Sequence, residues 1–330
     1  MPEWGYPCPL NHTPLKAQDR TDMTSESEAP SVGIVTVNYN GAAFIGEFAE
    51  SVRRITYPNF RLVAVDSGSS DGSPDELARL CPEAVIIRSR ENLGTAGGNN
   101  LGIDYCLEQG FDYILFINND TVASEDLLDR LVRAADPRTM VVPKILYYFD
   151  QRIISTHAGD FDWNLGRFRR TYHGQPDGLA TSRPRDLHTA SFCCLLAPAQ
   201  VFREVGRLDE GFFMYYEETD FLRRALDRGY RLRYIPEAII YHRESGSSGG
   251  GWMTPFKHYY ATRNRLYLVK KHSRSRLRFA LFTLYFWATR VPYLARYLLR
   301  REWKLLRAMA LGVLHYYRGR MGRTLEVRDF

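Results

Sequence analysis

The chain has 330 residues, 45% of them hydrophobic and 13% aromatic, enough to bury a large core and too apolar for a disordered chain. Five cysteines (Cys8, Cys81, Cys106, Cys193 and Cys194) fall in no CxxC or other ligand spacing, which argues against a disulfide framework and points to a reducing compartment. The net charge of +6 hides an asymmetry: Lys257 to Phe330 carries 18 Lys and Arg against 3 acidic residues, so an acidic body precedes a basic tail.

Residues 1–30 are polar and aperiodic and are expected to be a flexible leader. They lack the cationic start, apolar run and small-residue cleavage site of a signal peptide. Apolar runs of strand length follow at "SVGIVTVNYN", "FRLVAVDSGSSDGS", "AVIIRS" and "DYILFINND", separated by helical stretches at Ala43–Ile55, Pro74–Leu80 and Gly97–Gln109. Strands that are apolar on both faces and alternate with helices predict a parallel sheet covered on both sides. The ligand crevice of such a sheet lies beyond the carboxyl ends of its strands. Three strands end in polar residues there: Asn38-Tyr39-Asn40, Asp66-Ser67-Gly68 and Asn118-Asn119-Asp120. Residues 150–186 predict an insertion or a short antiparallel excursion. Beyond it Phe221, Leu222, Ala225 and Leu226 sit at helical spacing and Gly229 stops that helix.

Each polar cluster has two readings. "VDSGSSDGS" is a capped strand-to-helix loop, or Asp66 accepts hydrogen bonds from a base or sugar hydroxyl. "ENLGTAGGNNLGI" permits tight packing, or it lets backbone approach phosphate at a helix start. Asn118-Asn119-Asp120 is a turn, or Asp120 supplies the carboxylate a hard cation requires while the amides offer oxygens. Glu217, Glu218 and Asp220 are helix-start acids, or they emerge from the apolar wall Phe212–Tyr216 as a general base of raised pKa. His242 is structural, or it completes a metal shell, and "RESGSSGGG" after it predicts a flexible lid.

Taken in order, "IVTVNYNG", "VAVDSGSSDGS", "ENLGTAGGNNLGI", "ILFINNDT", "GRLDEGFFMYYEETDF" with "RRALDRGYRLRYIPEAIIYH", and "YYATRNRLYLVKKH" resemble the inverting glycosyltransferase family 2, its rhamnosyltransferase-like branch above all. The resemblance covers roughly Val32 to His272. It implies a GT-A, Rossmann-like α/β fold: a mostly parallel sheet flanked by helices. The domain would span 31–272, with a nucleotide-binding half at about 31–140 and an acceptor and catalytic half at about 141–272. It also implies a metal-dependent hexosyltransferase using Mg²⁺ or Mn²⁺ and a nucleotide diphosphate sugar. In the implied site Asp120 and His242 face the metal. Thr36, Asn38, Tyr39, Asp66, Gly97, Asn99, Asn118 and Asn119 hold the donor. Glu218, beside Glu217, is the base, and Asp220 and Arg263 face the acceptor or serve another role. Two departures stand out: the first two positions of the DxD-type motif are amides, and the base is Glu where Asp is commoner.

The tail, 273–330, mixes Arg with Leu and aromatics, and its uncharged run Phe279–Thr289 is 11 residues, short of the roughly 20 that span a bilayer. It predicts amphipathic helices on an anionic membrane surface, or packed on the body or on a second subunit of a homo-oligomer. The expected location is cytoplasmic, on the inner membrane face, and the expected acceptor a saccharide or lipid-linked saccharide. Rival readings are a non-catalytic nucleotide-sugar-binding module and a nucleic-acid-binding protein. Against the latter, the Arg residues are interleaved with large aliphatics.

Overall fold

The computed structural model describes residues 29–155, 158–243 and 254–330. The leader through residue 28, Cys8 and the expected lid from residue 244 onward lie outside the described residues.

The chain runs β1 (Val32–Asn38), α1 (Ile45–Arg53), β2 (Phe60–Ser67), α2 (Ser73–Leu80), β3 (Val85–Ser89), α3 (Gly94–Glu108), β4 (Tyr113–Ile117), β5 (Thr121–Ala123), α4 (Leu127–Ala134) and β6 (Thr139–Tyr147). It continues through β7 (Ala158–Asp162), β8 (Arg167–Arg170), β9 (Arg185–Asp186), β10 (Thr189–Ala190), β11 (Cys194–Pro198), α5 (Ala199–Val205), α6 (Glu217–Leu226) and β12 (Arg231–His242). Three helices end it: α7 (Pro255–His272), α8 (Arg276–Leu299) and α9 (Trp303–Tyr317).

The main sheet has the order β3-β2-β1-β4-β11-β6-β12-β5, with β9 paired to β12. β3, β2, β1 and β4 are parallel. β11 runs antiparallel to both β4 and β6, and β12 lies parallel to β6. Two reversals cancel, so β6 and β12 point the same way as β1, β2 and β4. The end of β12 therefore arrives at the edge where β1, β2 and β4 also end. The sheet is continuous across residue 140, so the two expected halves share one sheet. The excursion expected at 150–186 contributes β7 and β8, which join β10 in a small antiparallel sheet.

Alternate strand residues face opposite helix layers, as the two-residue strand repeat requires. Ile34, Leu62, Leu115 and Leu196 pack with Ile45, Phe48 and Leu127 on one side. Val35, Val63, Phe116 and Leu195 pack with Ile103, Phe202 and Phe221 on the other. α3 lies very close to β1 because Gly98 and Gly102 face Val37 and Val35; a Cβ on Gly98 would stand 2.7 Å from Val37 Cγ1. The close-packing reading of the glycine-rich segment is thus correct for those two residues.

A cleft at the strand ends

An open cleft lies at the carboxyl edge of the sheet. Tyr39 follows β1, Ser67 closes β2, and Asn118, Asn119 and Asp120 follow β4. Asn92, Gly94, Thr95 and Asn99 come from the start of α3, and Phe192 and Met214 close the far side.

The floor is held by a chain of amides and carboxylates. The Asn119 side-chain amide donates to Asn38 Oδ1 at 2.7 Å, and Asn38 donates to Asp66 Oδ1 at 3.1 Å and to Ser73 Oγ at 2.8 Å. Asp66 also accepts from the Ser69 amide at 3.3 Å. Asn38 and Asp66 are buried beneath the cleft rather than lining it. Thr36 is fully buried within β1, and Gly97 is buried on α3, so neither lines the cleft. Thr36, Asn38, Asp66 and Gly97 thus stand behind the residues that line the cleft.

Asp120 keeps its place at the cleft, and His242 Nε2 stands 3.3 Å from its Oδ1. Their meeting follows from the topology, since β12 pairs with β5 with His242 opposite Thr121. Burial opposes a charge on the imidazole, but Cys193 and the Asp120 carboxylate outweigh it and hold His242 well above its ordinary value. Among the described residues no cluster of three or more His, Cys, Asp or Glu side chains could hold a metal ion. A carboxylate and an imidazole at one cleft edge still fit a divalent cation whose other ligands are phosphate oxygens and water.

The opposite wall is the segment Gly211–Tyr216, which leads into α6. Phe213, Tyr215 and Tyr216 adopt left-handed backbone, with φ of 66°, 65° and 75°, at a cost on the order of 1–3 kcal/mol each. Asn264 donates to the carbonyls of Phe212 at 2.9 Å, Met214 at 2.7 Å and Tyr215 at 3.1 Å. Arg263, fully buried, donates to Phe212 O at 3.0 Å and Gly322 O at 2.8 Å. These bonds hold a strained segment in one shape. Arg263 is therefore a positioning residue inside the protein, which is the other role the sequence left open for it.

The strained segment delivers two glutamates. Glu217 is buried and accepts a short hydrogen bond from Thr95, itself on the cleft wall; Glu218 follows it, partly exposed. Burial first, and then the neighbouring charge of Glu217, push the Glu218 carboxyl well above the usual carboxylate range. Burial also raises Glu217, against the Thr95 hydrogen bond. Two carboxyls in such contact titrate as a pair. Neither lines the main cleft directly; Thr95 and Met214 are the residues through which the start of α6 meets it.

Asp220 departs from this pattern. It is fully buried, with Lys271 Nζ at 2.9 Å, His272 Nε2 at 2.8 Å and Arg224 Nε at 2.9 Å. Burial pushes its carboxyl up, but the His272 hydrogen bond and the charges of Arg224 and Lys271 outweigh that and hold it below the usual range. Asp220 ties α6 to α7 and does not face an acceptor. Thr95, Asn92, Phe192 and Met214 were not singled out from sequence. Asn92, Thr95 and Met214 do lie inside quoted motifs, but only their partners across the fold distinguish them.

Comparisons with known proteins give the family and the fold. The chain is 27% identical over 217 residues to a Haloferax volcanii protein named low-salt glycan biosynthesis hexosyltransferase Agl10, covering 64% of this chain and 67% of that one. It is 26% identical over 264 residues to the Mycobacterium tuberculosis N-acetylglucosaminyl-diphospho-decaprenol L-rhamnosyltransferase, covering 73% of this chain and 84% of that one. To the dTDP-rhamnosyl transferase RfbF of Shigella flexneri it is 24% identical over 220 residues, covering 65% and 72%. Among solved structures, GalNAc-T7 with UDP, GalNAc and Mn²⁺ aligns with a TM-score of 0.54 at 16% identity, over 82% of this chain and 58% of that one. S. aureus TarS residues 1–349 align at 0.51 and 12%, over 86% and 80%. The expected GT-A fold is the observed one. The family model for glycosyl transferase family 2 matches residues 31–206, more than half of the chain and all of the cleft floor apart from His242. The chain belongs to glycosyl transferase family 2, and it is a sugar-transferring enzyme.

Proposed function

We propose that this enzyme is an inverting transferase that moves a hexose from a nucleotide diphosphate sugar to a hydroxyl of a saccharide or lipid-linked saccharide during cell-surface glycan synthesis. The observation that carries the reading is the placement of Asp120, with His242 3.3 Å from it, on a cleft whose wall residue Thr95 holds Glu217 beside Glu218. The names of the mycobacterial and Shigella relatives favour a dTDP-rhamnose-like donor, with a UDP-sugar as the other nucleotide.

In this reading the nucleoside lies against Tyr39 and the diphosphate toward Asp120 and the start of α3. Asn99 and Asn118 offer amide groups to the donor from the cleft walls. Asp120 and His242 would hold Mg²⁺ or Mn²⁺, which supplies Lewis-acid stabilisation of the departing diphosphate. Glu218 takes the proton from the acceptor hydroxyl as that oxygen attacks the anomeric carbon opposite the diphosphate, and Glu217, fixed by Thr95, orients it. A single displacement inverts the anomeric centre. The base is active only after the pair sheds its shared proton, so turnover rises with pH along an acid limb above the ordinary Glu range.

The nucleotide-binding part is proposed at about 31–140, the acceptor part at about 141–272 and the peripheral part at 273–330. No helix among the described residues is long and apolar enough to cross a membrane. On α8, however, Leu277, Leu281, Leu284 and Val291 are exposed by 56–69% at helical spacing, with Trp287 beside them. Exposed Arg276 and Arg278 lie in the first turn of the same helix, and exposed Arg274 just precedes it. This face is proposed to lie on an anionic membrane, where lipid-linked acceptors reside. A screen of dTDP-, UDP- and GDP-sugars with and without Mn²⁺ tests the enzyme reading by thermal unfolding. A donor present at about 100 times its Kd stabilises by about 2.7 kcal/mol, a shift on the order of 5 °C. No shift with any donor would overturn it.

A further inference from the structure

Beyond the donor cleft lies a second, open hollow that shares Tyr39, Asn92 and Met214 with it. Its outer wall is neither the sheet nor α3. It is the segment after α9, through Arg323, Glu326 and Arg328.

That segment turns back from the helices and is fastened to the catalytic wall. The Gly322 amide donates to Gly211 O at 2.7 Å, and Arg263 donates to Gly322 O at 2.8 Å. Tyr260 Oη donates to Leu325 O at 2.9 Å, and the Tyr259 and Thr324 hydroxyls lie 2.6 Å apart. Arg323 reaches across to Glu91, 3.6 Å away and next to Asn92 of the cleft.

We propose that residues 322–330 close the nucleoside end of the donor site, with Arg323 and Arg328 donating to the base or ribose and Glu326 accepting from ribose hydroxyls. This rests on the donor reading above. A hollow with a Tyr ring at its inner edge, an amide beside it and a carboxylate flanked by two guanidinium groups matches a flat heteroaromatic ring with donor and acceptor edges. Arg328 Nε bonds Glu326 at 2.8 Å, which spends one of its five N–H groups and leaves the others available. Its side chain is 81% exposed, so a ligand can reach it. The assignment extends the donor site over a region outside the family-model match, which ends at residue 206.

Calorimetric titration of the full chain with UDP, dTDP and GDP, and separately with Mn²⁺-pyrophosphate, tests it. The variants are Arg323→Ala, Arg328→Ala and Tyr39→Ala, each checked for an unchanged melting temperature. The expected result is about tenfold weaker binding of the preferred nucleotide by either arginine variant, about 1.4 kcal/mol, with pyrophosphate binding unchanged. If Tyr39→Ala weakens nucleotide binding and neither arginine variant does, the segment has no part in the site and the donor cleft stands. Equal loss of pyrophosphate binding in the arginine variants would also overturn the nucleoside assignment. If the unaltered chain binds no nucleotide at all, both readings fall together.

Discussion

Glu218→Gln separates the cost of a buried acid from its use. In the folded chain the Glu218 carboxyl is pushed well above the usual range, by burial and by the charge of Glu217. Such a group contributes stability while protonated and loses that contribution as pH rises through its folded value. Gln has the shape of the protonated form at every pH and carries no charge to repel Glu217. Once ionised, Glu218 keeps one carboxylate oxygen buried without a hydrogen-bond partner and beside Glu217, and the charge, which Gln lacks, costs about 1–3 kcal/mol. At about 2 °C per kcal/mol for a chain of this size, the variant should melt about 2–6 °C higher than the parent at mildly alkaline pH. Below the ordinary carboxylate range the two should coincide. Turnover should fall about 100- to 10,000-fold, the usual worth of a general base. Thermal unfolding at the two pH values, beside a sugar-transfer assay on the same samples, reads both effects. A variant that melts lower at alkaline pH, or that still transfers sugar at the parental rate, refutes the assignment of Glu218.

Gly94 holds φ at +67°, and a Cβ there would overlap the Phe213 carbonyl and ring. Gly94→Ala should cost about 1–3 kcal/mol in unfolding titrations and, by shifting the Phe213–Tyr216 segment, depress turnover more than donor affinity. The α8 surface should bring the chain down with vesicles containing anionic lipid and leave it in solution with neutral ones. A combined Leu281→Ser and Leu284→Ser change should abolish that pelleting without altering donor-induced thermal shifts.

The left-handed segment before α6 accounts for much of the design of the wall. Three non-glycine residues with positive φ in four positions are costly, and only partners far along the chain make them tenable. Asn264 and Arg263 lie about fifty residues away from the carbonyls they hold. Thr95 lies 122 residues from the glutamate it fixes. Mutations in the first half of the chain, in α7 or in the last ten residues therefore converge on one pair of carboxylates.

The sequence by itself determined the parallel half of the sheet, because β1 to β4 are near-continuous apolar runs that end in polar residues at fixed places. It determined the cleft edge, the place of Asp120 on it and the family, since these depend on residues close together along the chain. Tertiary structure alone decided that Asp220 is consumed by Lys271, His272 and Arg224, and that Arg263 braces backbone instead of meeting substrate. It also decided that Asn38 and Asp66 sit under the floor and that residues 323–328 line the hollow beside the cleft. The physical reason is that periodicity encodes which face of an element is buried, whereas a polar side chain's partner depends on which distant element folding brings against it.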